Sequence, residues 1–139
     1  MDIVLDASTI MAIILNEPNK DKIIKFTKNA MLVSPDVLSY EVGNGLINLY
    51  RRQKITKEDL LESYKSYTSI PIRSIKVNIE EALLIACKYK IYAYDAYYLE
   101  IAHRLKLPLL TLDNSMEETG LDLKITIVGK SRGKKNENL

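Results

Sequence analysis

Ile3-Val4-Leu5-Asp6-Ala7-Ser8 and Leu109-Leu110-Thr111-Leu112-Asp113 are two short apolar runs that each deliver an aspartate at their end. Runs of this length without polar alternation read as strands buried on both faces, and such strands belong to parallel sheets covered by helices. Both aspartates should then emerge at the carboxyl edge of one sheet. If the two strands are neighbours there, Asp6 and Asp113 project from chains about 4.8 Å apart.

The intervening sequence supplies the alternation that such a sheet requires. A helix is expected from Ser8 as N-cap through the apolar residues Ile10 to Leu15, and after Asn16-Glu17-Pro18-Asn19 a second short one carries Ile23, Ile24 and Phe26. Met31-Leu32-Val33 reads as a strand. Ser34-Pro35-Asp36 reads as a helix start, with Ser as cap and Pro in the first turn, opening a helix over 36–52 that buries Val42, Leu46 and Leu49. Thr56…Asp59 and Asn78…Glu81 have capping-box spacing and predict helices over 57–68 and 79–89. Pro71-Ile72-Arg73 reads as a short strand, 94–106 as a helix burying Tyr98, Leu99, Ala102 and Leu105, 114–119 as a helical turn, and 124–128 as a last strand. Strands separated by helices imply right-handed crossovers and a sheet covered on both faces, with ligands at the carboxyl edge where strand order reverses.

Composition narrows the function classes. A chain of 139 residues with 47% hydrophobic and 27% charged residues fits one globular domain. No apolar run is long enough to cross a bilayer, and Met1-Asp2 stand directly before the first strand, so a cytoplasmic location without membrane association is expected. A single cysteine, Cys87, excludes internal disulfides and cysteine-based zinc sites, and it is expected to pack in its helix. Lys130, Arg132, Lys134 and Lys135 against Glu137 leave residues 130–139 at +3 and the remainder of a chain of net charge +2 at −1. Residues 1–128 are therefore read as the domain and 129–139 as a basic, disordered tail, either merely solvated or an electrostatic arm for nucleic acid.

Two more acids belong with the aspartates. Glu41 and Asp95 lie near the starts of the helices 36–52 and 94–106, whose N-termini face the same edge. Each alone has a plain reading as a cap or a partner of the helix dipole. Asp6, Glu41, Asp95 and Asp113 together, with no basic neighbour, make a poor structural device and a good divalent-cation site. Four carboxylates contribute a charge that two divalent ions balance, and a two-metal site about 3.5–4 Å across clamps both the attacking and the leaving oxygen of a phosphodiester. Asp6 is the expected central ligand, Asp95 and Asp113 further ligands, and Glu41 either ligates directly or orients the attacking water. Asn44 lies on Glu41's side of its helix, and Ser8, Thr111 and Asn114 lie close enough in sequence to hold a ligating carboxylate or a substrate phosphate. Gly43 and Gly45 inside a helix suggest close approach by a partner or substrate. His103, on the outer side of its helix, is rejected as a catalytic base.

The whole arrangement resembles the PIN domain, a metal-dependent nuclease family, and within it the VapC-like toxins of toxin–antitoxin pairs. The resemblance rests on Ile3-Val4-Leu5-Asp6-Ala7-Ser8, Tyr40-Glu41-Val42-Gly43-Asn44-Gly45-Leu46, Tyr94-Asp95-Ala96 through Ala102, and Leu110-Thr111-Leu112-Asp113, which occur in the family's order. It implies a three-layer α/β/α sandwich around a mostly parallel five-stranded sheet, Mg²⁺ or Mn²⁺ as cofactor, single-stranded or structured RNA as substrate, and a homodimer held by a protein antitoxin. The activity implied is endoribonucleolytic hydrolysis. A PIN-like RNA-binding or scaffold module without turnover is the alternative. An aspartyl phosphotransfer fold would want a second acid near Asp6, and Asp6-Ala7-Ser8 lacks it; a dinucleotide-binding fold would want a glycine-rich first turn, which is also missing.

Overall fold

A computed structural model describes residues 1–129. The expected basic tail, from residue 130 onward, lies outside the described residues. Four parallel strands form the sheet: β1 (Asp2–Leu5), β2 (Met31–Pro35), β3 (Ile72–Ile75) and β4 (Leu109–Leu110). Seven helices connect them: α1 (Ala7–Ile14), α2 (Lys20–Thr27), α3 (Leu38–Arg51), α4 (Lys57–Thr68), α5 (Ile79–Tyr89), α6 (Ala93–Leu105) and α7 (Asn114–Asp122). The strand order β3-β2-β1-β4 places β1 and β4 side by side although almost the whole chain separates them. The chain therefore winds outward from β1 to β3 and then crosses back to the other side of β1. Right-handed crossovers in opposite directions require helices on opposite faces. Accordingly α1 packs on α2, α3 and α4, while α5 and α7 pack on α6.

The interior is aliphatic. Ile3, Val4, Leu5, Val33, Leu109 and Leu110 of the strands meet Ile10, Leu38, Val42 and Leu46 from one helical layer and Tyr98, Leu99, Ile101 and Ala102 from the other. Removal of this surface from water, at about 25 cal/mol per Å² of apolar area, is the dominant favourable contribution to folding. Glu100 is buried beside this core and is neutralised by Arg104 Nε at 2.7 Å, while its Oε1 accepts Asn78 N at 2.8 Å. Arg104 Nη2 also donates to Lys76 O at 2.8 Å, which fixes the approach to α5 against α6.

The α/β/α class is as expected, and several local expectations are corrected. The expected strand 124–128 contributes only a parallel bridge between Leu109 and Ile127, so the sheet has four strands rather than five. Lys124 turns through a left-handed conformation (φ 63°), Ile125 N is taken by Gly120 O, and β4 itself leaves the ladder after Leu110, so little backbone remains to pair. The expected helix start at Ser34-Pro35-Asp36 is the end of β2 instead, because Ser34 and Pro35 continue in register with Ser74 and Ile75 of β3. Proline is tolerated there because β1 has already ended its pairing at Val33, leaving no second neighbour to receive an N–H.

Asp6, not Ser8, caps α1. The Thr56–Asp59 capping box is complete, but at Asn78 only half forms, since Glu100 takes the Asn78 N–H that Glu81 would have accepted. The turn at 114–119 lengthens to the nine-residue α7, Leu105 is exposed, and Cys87 is exposed on α5 rather than packed. Gly45 does permit a close approach, but from within the chain: a Cβ there would meet Met11 Cε at 3.0 Å. No helix among the described residues is long and apolar enough to cross a membrane.

Candidate functional site

The reversal of strand order falls between β1 and β4, and the chain segments leaving these strands at their carboxyl ends carry Asp6 and Thr111–Asp113. A run of hydrogen bonds locks the two segments together. Ser8 Oγ donates to Asp6 Oδ1 (2.6 Å) and accepts from Leu112 N (3.1 Å). Thr111 Oγ1 donates to Asp6 Oδ2 in a short contact and accepts from Asp113 N (3.0 Å). Each hydroxyl thus spends its proton on Asp6 and a lone pair on the backbone after β4, so that Ser8 crosses to that segment by accepting from Leu112 N and Thr111 crosses to the other by donating to Asp6. Thr9 N adds a third donor to Asp6 Oδ1 at 3.2 Å.

Asp6 is only 6% exposed. An ionised carboxylate offers about four lone-pair positions. Three are occupied here, which leaves capacity at Oδ2. Burial raises the Asp6 pKa, its three donors pull it back down, and the nearby Asp113 charge raises it again, for a net shift upward.

Capping explains part of this arrangement without exhausting it. Asp113 caps α7 through Oδ1, which accepts Ser115 N (2.8 Å) and Met116 N (3.3 Å). Its second oxygen takes no part in the cap. The plain reading of Asp113 as a cap is therefore correct for one oxygen and leaves the other available.

Glu41 and Asp95 approach from the first turns of α3 and α6. Both are half-buried, and burial is the main cause of their raised pKa values. Repulsion from Asp95 and Asp6 adds to the shift of Glu41, and repulsion from Asp113 and Asp6 to that of Asp95. The four acids predicted from sequence are thus mutual electrostatic neighbours. Among the described residues the two ion pairs are Asp2–Arg73 and Glu100–Arg104, and neither involves any of the four.

One residue of the site was read from sequence only as core. Tyr98 is 2% exposed, and its hydroxyl donates to Glu41 Oε1 at 2.6 Å. Burial and the adjacent Glu41 charge push the phenol well above its usual range, so it remains a proton donor. Its position one turn after Asp95 on α6 places it on the same helical side, a signal the sequence does contain. The Asp95 side chain makes no hydrogen bond among the described residues. Ser8 and Thr111 hold Asp6 as described above, whereas Asn44 and Asn114 are exposed and their side chains make no hydrogen bond among the described residues. His103 is exposed on the far part of α6.

An all-carboxylate donor set matches hard, oxygen-seeking divalent cations and offers nothing to softer metals. As placed, no group of three or more Asp, Glu, His or Cys side chains among the described residues is drawn together into a ready-made cage. An ion that retains much of its water shell, as Mg²⁺ does, needs only one or two direct carboxylates and can use the rest as acceptors for its waters.

Ribonuclease VapC3 of Pyrobaculum aerophilum is 28% identical over 123 residues, covering 85% of this chain and 94% of that protein. Ribonuclease VapC9 of Mycobacterium tuberculosis is 26% identical over 118 residues, covering 85% of this chain and 91% of that protein. Among solved structures, PAE2754 from Pyrobaculum aerophilum matches in fold with a TM-score of 0.65 at 22% identity, over 89% of this chain and 98% of that one. The PIN domain pattern matches residues 3–121, a span that contains all four acids and both hydroxyls that hold Asp6, and the chain belongs to the PIN domain family.

Proposed function

We propose that the protein is a cytoplasmic endoribonuclease, the toxin of a toxin–antitoxin pair, which hydrolyses RNA phosphodiester bonds with the aid of Mg²⁺ or Mn²⁺. The observation that carries this reading is the group of four acids, buried Asp6, half-buried Glu41 and Asp95 and exposed Asp113, which repel one another and meet no cation among the described residues. Its support comes from membership of the PIN family and from relatives named as VapC ribonucleases. Asp6, Asp95 and Asp113 hold the metal. Glu41, fixed through one oxygen by Tyr98, either joins them through the other or orients the attacking water. Ser8 and Thr111 donate to the Asp6 carboxylate, which offsets part of the cost of burying its charge and keeps it aimed. When bound, the metal supplies charge neutralisation and activation of water at the scissile phosphate.

The antitoxin is expected to place an Arg or Lys among the acids, where a guanidinium pairs with carboxylates in bidentate fashion. A homodimer completes the reading. The exposed aliphatic residues Ile79, Leu83 and Leu84 of α5 suit it, because Glu80 and Glu81 begin that helix and Lys88 and Lys90 end it, so a second copy lying antiparallel matches acids to lysines. Cleavage of RNA by the purified protein tests the activity. It should require Mn²⁺ or Mg²⁺, stop with EDTA, and vanish in Asp6→Asn; metal-loaded protein that binds RNA and never cuts it is a scaffold module instead.

A further inference from the structure

The outward face of α3 joins the acids to a cluster of cations that the reaction leaves unused. At about 100° per residue, Tyr40, Gly43, Ile47 and Tyr50 fall within one arc of about 80° that borders buried Leu46 and lies away from Leu38, with Asn44 between Tyr40 and Glu41. Tyr40 is 78% and Tyr50 44% exposed. A Cβ built on Gly43 meets nothing within 4 Å, so the strip is open over its backbone. About 15 Å along the helix from Glu41 the strip runs into residues 51–57, which hold Arg51, Arg52, Lys54 and Lys57 and no acid. A cavity of about 520 Å³ opens there between Tyr50, Arg51, Lys54 and Ile55. Asp59, which also lines it, is turned to Thr56 N in the capping box.

The helix dipole accounts for part of this charge only. Cations are favoured at the end of α3, so Arg51 and Arg52 would be expected on any surface helix. Lys57 is the first residue of α4, where the dipole disfavours a cation. Among the described residues none of the four cations has an ion-pair partner. The strip also differs in kind from the exposed face of α5. There the side chains are aliphatic, whereas here they are phenol rings, amides and cations with Ile47 as the one aliphatic. Rings that stack on bases and cations that meet phosphates are the chemistry of single-stranded nucleic-acid recognition.

We propose that the single-stranded flank of the RNA substrate lies along this face of α3, its bases against Tyr40 and Tyr50 and its phosphates against Arg51, Arg52, Lys54 and Lys57. The proposal rests on the ribonuclease reading for the identity of its occupant. It is tested by binding, which needs no cleavage. A labelled single-stranded RNA of about a dozen nucleotides, within the range of single-strand site sizes, is titrated by fluorescence anisotropy over a series of salt concentrations. The proteins compared are wild type, Arg51→Ala/Lys54→Ala at the end of α3 and in the turn after it (the α3 pair), and Lys22→Ala/Lys25→Ala on α2, which removes the same charge elsewhere.

The α3 pair should bind about tenfold more weakly, with a salt slope lower by about 1.4 for two lost phosphate contacts. Tyr50→Ala should weaken binding while leaving the slope as it was, and the α2 pair should keep both. An unchanged slope in the α3 pair overturns the proposal, as does an equal fall in the α2 pair. An α3 pair that binds RNA normally but loses its dimer mass would make the strip a protein interface, which also overturns it. RNA bound with the full slope yet never cut would count against the ribonuclease reading alone.

Discussion

Helix α6 carries two buried or half-buried acids that are treated in opposite ways. Glu100 meets Arg104 and the Asn78 N–H, so its charge is neutralised inside the chain. Asp95, little more than one turn earlier, is repelled by Asp6, Glu41 and Asp113, and among the described residues its side chain has no hydrogen bond and no cation. An acid buried for the sake of the fold brings its own counter-charge, because leaving a buried charge unpaired costs several kcal/mol. An acid buried among other acids requires a counter-ion from solution. The same helix therefore carries one carboxylate with its counter-charge supplied by the chain and one set among other acids, and the two differ by partner rather than by burial.

The comparison breaks most severely under substitution of the acids themselves. Asp6→Asn or Asp95→Asn should reduce RNA cleavage by more than about a hundredfold, beyond what loss of a mere supporting partner costs, with the far-ultraviolet circular dichroism unchanged. Glu100→Gln should instead retain cleavage and lose stability. One partner of the pair is partly solvated, so a loss of about 2 kcal/mol is expected, below the range for fully buried pairs, and urea denaturation measures it.

How much of this division could be read from sequence depends on the distance over which each partner acts. Asp6 and Asp113 were legible because each ends an apolar strand, and Glu41 and Asp95 because each begins an amphipathic helix. Ser8 and Thr111 were legible as neighbours of the acids, though nothing local reveals that each hydroxyl bridges to the other segment. The role of Tyr98 depends on a partner 57 positions away, and its apolar surroundings made it read as core. The fifth strand failed for a similar reason: an apolar run shows what can pair, while Thr111 leaving the ladder for Asp6 determines what remains to pair with. Pro35 misled because it is compatible with both a helix start and a strand end, and register with β3 decides between them.

The electrostatic half of the comparison is sharpened by pH. Asp6, Glu41 and Asp95 have raised pKa values in the folded protein. The folded state therefore holds these protons more tightly than the unfolded chain does. The stability they contribute is present below the ordinary carboxylate value of about 4 and is lost as pH rises through the raised values. Metal-free protein should accordingly lose thermal stability from pH 4 upward across that window, and Mn²⁺ should restore more of it as pH rises. A melting curve insensitive to pH in that range, with or without Mn²⁺, would remove the basis for a coupled site.

Smaller effects distinguish the acids from one another. Asp95→Asn should stabilise metal-free protein at neutral pH by on the order of 1 kcal/mol, since it relieves repulsion and breaks no hydrogen bond. Asp6→Asn should show little or no such gain, because an amide cannot accept all three donors that Asp6 satisfies. Tyr98→Phe should keep the fold, leave Glu41 without its tether, and lower Mn²⁺ affinity by about tenfold. Loss of melting temperature with unaltered Mn²⁺ affinity would make that hydroxyl purely structural.

Calorimetric titration of Mn²⁺ into wild type, Asp6→Asn, Glu41→Gln, Asp95→Asn, Asp113→Asn and Glu100→Gln tests the central claim most directly. Substitution of any of the four acids at the sheet edge should weaken binding by at least about tenfold, while Glu100→Gln binds as wild type does. Equal affinities across the whole series, or a loss confined to Glu100→Gln, would show that the four acids do not form a common cation site.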